Sequence, residues 1–156
     1  MKILVVFVAL AFVSQAAGEC DGVDVDGSCY FWKGTKVGGL KFKKAEEACA
    51  EEGGHLAEFR TQQAYDTVRF YLLGVKPQTM LLIGMKYNYK KKNNPVMLRS
   101  GSAITYKPDW FENHPIDSHK NEEMVIIASK NSKFSGLMNS ENGCRYALFL
   151  CEISLE

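Results

Sequence analysis

Five cysteines, Cys20, Cys29, Cys49, Cys144 and Cys151, constrain this chain more than any other feature of its sequence. All follow an N-terminal segment with the layout of an export signal, and the export route leads to an oxidising space where disulfides persist. An odd count leaves one thiol without an internal partner, and spacing alone does not say which. Cys20 and Cys29 lie close enough to tie a hairpin.

The leader is Lys2, an apolar run over residues 3–13, and then Ser14, Gln15, Ala16, Ala17 and Gly18. A basic start, a short apolar stretch and a small-residue end make a secretory signal peptide, and the run is too short to span a bilayer. Cleavage is expected near Ala16 or Gly18. That divides the chain into a signal peptide over 1–18 and one domain over 19–156, secreted and extracellular. The length that remains suits a single domain with a real hydrophobic core. The net charge of +1 becomes balanced once Lys2 leaves with the leader. Balance excludes a general pull toward nucleic acid or membrane surfaces. No second long apolar run follows, so no membrane span is expected.

Along the chain, residues 20–27 (CDGVDVDG) are rich in Asp and Gly and predict a turn before a short strand over 29–32. Phe42, Ala45, Ala48 and Cys49 recur at helical spacing while Lys43, Lys44, Glu46 and Glu47 point away, which predicts an amphipathic helix stopped by Gly53 and Gly54. Thr61 is the expected N-cap of a second helix that runs through Ala64, Tyr65, Val68 and Leu72 to about Leu73. Interior strands are expected over 79–85, 124–128 and 146–153, with a turn-rich connection over 131–143. Early helices, late strands and an irregular middle over 86–123 make an α+β domain. A loop of that length in a small domain usually carries function.

The residues resemble the C-type lectin-like domain family over nearly the whole chain after the leader. Phe42, Ala45 and Cys49 stand at the places of the family's first helix, and Gly53, Gly54, His55, Leu56 and Ala57 at its Gly-rich turn and Leu-Ala strand. Leu82, Ile83 and Gly84 match a Trp-Ile-Gly strand. Cys144, residues 147–150, Cys151 and Glu152 match the family's close. The resemblance implies two helices packed on antiparallel strands with a long irregular loop region, a disulfide Cys49–Cys151, and the long-form hairpin bridge Cys20–Cys29. Closing a loop of roughly a hundred residues stabilises a fold by about 4–5 kcal/mol in the chain-entropy model. The family's second bridge would join Cys144 to a cysteine just after the triplet Asn121, Glu122, Glu123, but Met124 stands there. Cys144 is therefore expected unpaired, as a buried inert thiol beside Met124. If it reached the surface it would offer a disulfide-linked dimer instead.

Sugar-binding members hold a calcium ion in this loop, and Ca²⁺ takes six to eight hard oxygens. Counted from Trp110, the family's Glu-Pro-Asn falls on His114, Pro115 and Ile116, so the proline remains, expected cis, and both flanking ligands are gone. Met138, Asn139 and Ser140 stand at its Trp-Asn-Asp. Only Glu122 and Asn139 carry over as calcium ligands, so no cofactor is certain and calcium stays a possibility. A rearranged loop could recruit Glu112, Asn113, Asp117, Glu122 or Glu123 around calcium, or His114, Asp117, His119 and Glu122 around zinc, against the plain alternative of a solvated acidic loop. Tyr87, Tyr89, Lys90, Lys91 and Lys92 form a basic aromatic segment able to stack on sugar rings or to attract sulfated or acidic glycans.

The expected function is a secreted recognition protein that binds glycans through the loop residues Glu112, Asn113, His114, Pro115, Asp117, Glu122 and Asn139, without standard calcium-dependent mannose or galactose binding. The alternative is a calcium-independent protein-binding or structural extracellular module. No catalytic residues are expected, because Cys144 and His119 lack a legible third group to orient them.

Overall fold

The two helices form where the apolar periodicity demands them. In the computed structural model, which describes residues 20–155, α1 spans Phe42–Ala50 and α2 spans Gln62–Val75. The leader expected over 1–18 lies outside the described residues. Thr61 caps α2 by accepting a hydrogen bond from the Ala64 N–H at 3.0 Å, satisfying one of the free donors of the first turn.

The strands are β1 (Val23–Val25), β2 (Ser28–Gly34), β3 (His55–Leu56), β4 (Leu81–Tyr87), β5 (Val96–Met97), β6 (Glu123–Ile127), β7 (Gly136–Ser140) and β8 (Leu148–Ser154). Asp26 and Gly27, both left-handed, form the two-residue turn between β1 and β2, and the Cys20–Cys29 disulfide ties that hairpin. The sheet runs β1-β2-β8-β4-β6-β7, with β3 on β8 and β5 on β4. Every ladder is antiparallel except β4 with β8, which pair parallel at Leu82 and Phe149, so the expectation of antiparallel strands fails at the centre. Parallel neighbours need a long crossover, and the chain between β4 and β8 supplies one. The turn-rich connection expected over 131–143 instead contains β7, paired along its length with β6.

β4 is buried on both faces, which explains its unbroken apolar run. Leu81, Ile83 and Met85 point into one cluster with Tyr65, Val68 and Leu72 of α2; Leu82 points the other way, toward Ala45 and Cys49 of α1, Phe149 and Cys151. The Cys49–Cys151 disulfide lies in this second layer and joins α1 to the last strand. Gly84 is required by close approach: a Cβ there would sit 2.4 Å from the Leu56 carbonyl oxygen.

Glu152 joins distant parts of the chain. Its buried carboxylate accepts from Ser28 Oγ at 2.9 Å, the Glu58 N–H at 3.1 Å and Arg60 Nη1 at 2.5 Å. Arg60 also donates to Glu58, whose other oxygen accepts the Arg99 N–H at 2.7 Å.

The buried thiol expected at Cys144 is not found. Cys144 is free and exposed in the turn after β7, while Met124 points into the core beside Ile126 and Leu137. The two side chains part because the pleat of β6 directs residue 124 inward and the 141–145 turn runs over the surface.

Candidate functional site

The long middle segment is carried on the ends of β4, β6 and β7. It is irregular apart from β5, as its composition predicts. Its return to the sheet is anchored by Trp110, which bridges Leu137 of β7 and meets Tyr87 edge-on at 6.2 Å. Gly136 permits that crossing, since a Cβ there would lie 2.4 Å from the Asp109 carbonyl oxygen.

Beyond Trp110 the loop closes on one side chain. Asn139 of β7 is fully buried, and its Oδ1 accepts from the Ile116 N–H at 2.7 Å and from His114 Nδ1 at 3.1 Å. Its Nδ2 donates to the carbonyls of Ile116 at 2.7 Å and Asn121 at 2.9 Å. The His114–Pro115 peptide bond is cis, as expected, and lies inside this clasp. One amide thus satisfies backbone groups on both sides of the 114–121 turn, each costly to leave unpaired when shielded from water.

The other candidate residues are spread apart. Glu112 is exposed and faces Lys133, its Oε1 lying 3.9 Å from the ammonium, and Asn113 sits exposed in the left-handed region that asparagine tolerates. Asp117 is exposed, and His119 stands edge-on to Tyr89 at 6.1 Å. Glu123 is buried; one of its carboxylate oxygens accepts the Gly143 N–H at 3.0 Å and the other has no hydrogen-bond partner. Glu122 is half-buried and lines a separate cleft.

This donor set does not fit the family's calcium ion. The Asn139 oxygen is already turned toward N–H donors, Ser140 Oγ is bonded to the Tyr146 hydroxyl, and Ile116 has no side-chain oxygen. The zinc alternative lacks convergence: among the described residues no three of His, Cys, Asp and Glu come together as metal ligands.

The cleft that takes Glu122 is about 360 Å³ and is lined by Lys86, Tyr87, Asn88, Tyr89, Lys90, Met97 and Glu122. It offers an aromatic wall, an amide and charges of both signs. Lys86 Nζ lies 3.5 Å over the ring of Phe42, and its burial pushes the ammonium below its ordinary pKa against the opposing pull of Glu123, Glu122 and Glu46. Tyr87 is raised by burial, and then by the nearby Asp117. Tyr87, Tyr89 and Lys90 were visible in the sequence as part of a basic aromatic segment. Lys86 and Asn88 flank that segment in the sequence, whereas Met97 joins the cleft only because β5 folds against β4.

The scaffold is a disulfide-stapled α+β domain that carries a long loop between β4 and β6. The profile of the Lectin C-type domain matches residues 39–153, and the chain belongs to that family. Similar solved structures include the SPL-1 complex with GlcNAc, at 16% identity and TM-score 0.67, covering 90% of this chain and 99% of that one. The Ca²⁺-independent C-type lectin SPL-2 from Saxidomus purpuratus gives 17% and 0.63, covering 84% and 89%. A calcium-independent type II antifreeze protein gives 17% and 0.62, covering 88% and 94%. Such identities establish the fold alone. No curated protein sequence matches the chain significantly.

Proposed function

We propose that this chain is an extracellular recognition protein that binds a glycan without calcium, in the cleft between Tyr89 and Glu122 beside the 112–122 loop. The observation that carries the reading is the Asn139 clasp, in which a buried amide closes the turn that an ion would otherwise organise. With the loop folded by its own hydrogen bonds, the neighbouring cleft is preformed, and preformed sites bind at lower entropic cost. Tyr89 supplies a face for a sugar ring, while Asn88, Lys90 and Glu122 supply donors and acceptors for hydroxyls. Support from likeness comes from SPL-2, described as Ca²⁺-independent, and from SPL-1, solved with GlcNAc. The leader over 1–18 and the two disulfides agree with export. His114, Pro115 and Asn139 act in this reading as supports of the loop, and Glu122 as a contact.

Retention on a panel of immobilised glycans, run with calcium and again with chelator, tests the proposal. The expected result is retention of at least one glycan, unchanged by chelator, and a melting temperature that calcium shifts by less than about 1 °C. Chelator-reversible retention would contradict the ion-free site. Loss of every glycan from the panel would favour the protein-binding alternative.

A further inference from the structure

We infer that the glycan is anionic, and that Lys90, Lys91 and Lys92 form the subsite for its sulfate or carboxylate groups. The inference rests on the glycan-binding reading above and adds the charge class of the ligand. The three lysines, with Asn93, Asn94 and Ala103, line an open hollow of about 520 Å³, and Lys90 also lines the Tyr89 cleft, so the two concavities adjoin. A sugar ring held against Tyr89 would carry its substituents toward the hollow.

Two observations separate this segment from an ordinary solvated charge run. First, the charge is concentrated: three successive cations stand on one turn, whereas Arg99, the next cation along the chain, is paired with Glu46. Lys90, Lys91 and Lys92 are all exposed, and none lies within ion-pair distance of a carboxylate among the described residues. Second, the turn that bears them is built. Asn88 N–H donates to the Pro95 carbonyl at 2.7 Å, Lys90 N–H to Asn88 Oδ1 at 3.1 Å and Lys91 N–H to the Asn88 carbonyl at 2.9 Å. Asn94 Nδ2 pins the far side to the Ile104 carbonyl at 2.5 Å. Three adjacent like charges on a fixed turn repel one another, and an anion between them relieves that repulsion. The chain as a whole is close to charge balance, so the attraction for anionic groups on a saccharide is local to this turn.

The test uses the secreted chain and its K91Q/K92Q variant on immobilised dextran sulfate, hyaluronan and a panel of neutral glycans, with anionic phosphatidylserine vesicles alongside. Wild type should bind one anionic polysaccharide at least about tenfold more tightly than any neutral glycan. About three lysine contacts should cost roughly twentyfold in affinity over a fourfold rise in salt. K91Q/K92Q should keep its melting temperature within about 1 °C and lose about tenfold in anionic binding. Preference for dextran sulfate assigns the subsite to sulfate, and equal binding of hyaluronan assigns it to carboxylate; both support the inference. Wild-type affinity in K91Q/K92Q, no preference over neutral glycans, or stronger binding to vesicles than to either polysaccharide would overturn it. Retention confined to neutral glycans would defeat this inference and leave the glycan reading standing, whereas no retention at all would defeat both.

Discussion

Replacing Cys49 and Cys151 together by alanine should leave a chain largely unfolded at 37 °C. The bridge closes a sequence separation of 102 residues, worth about 4–5 kcal/mol in the chain-entropy model, out of the total of about 5–15 kcal/mol that stabilises a domain of this kind. Both sulfurs belong to fully buried residues between α1, β3 and β8, so alanine also removes packing there. The hairpin bridge Cys20–Cys29 spans only 9 residues, and its removal should cost about 2–3 kcal/mol and leave a folded protein. Circular dichroism melts of the two double variants check the order. A Cys49→Ala/Cys151→Ala protein that melts within a few degrees of wild type would show that the staple does not hold the fold.

Glu152→Ala should lower stability by about 3 kcal/mol, or about 10 °C in melting temperature. The cost comes chiefly from what is left behind. Ser28 Oγ and the Glu58 N–H are buried and lose their acceptor, while Arg60, half-exposed, can turn to water. Glu152→Gln keeps one oxygen in place and should cost less than half as much. The three partners lie on β2, beside β3 and before α2, so the loss should loosen the N-terminal hairpin from the last strand. Equal melting temperatures for wild type and Glu152→Ala would contradict this account.

Much of the architecture was legible because the residues that fix it also follow simple periods. α1 and α2 announce themselves by apolar spacing and the Thr61 cap, and β4 by an unbroken run that only a strand buried on two faces tolerates. β7 is not legible in the sequence because Gly136, Asn139 and Ser140 are poor strand formers. Each has a tertiary reason to be there: Gly136 clears the Asp109 backbone, Asn139 clasps the loop and Ser140 bonds to Tyr146. The exposure of Cys144 is not legible in the sequence, since inward and outward positions near a strand end depend on pleat and turn, which composition does not encode. The same limit explains Asn139. As a residue type it suits ion coordination and backbone clasping equally, and its burial and partners, which decide between them, exist only in the folded chain.

The Asn139 amide closes the 114–121 turn through backbone groups of Ile116 and Asn121, and on this reading the turn needs no ion. Hydrogen exchange of the Ile116 amide in chelator reads that closure, because its N–H donates to Asn139 Oδ1 at 2.7 Å. We predict slow exchange in chelator that calcium leaves unchanged and that Asn139→Ala abolishes. Fast exchange in chelator that becomes protected when calcium is added would contradict the account.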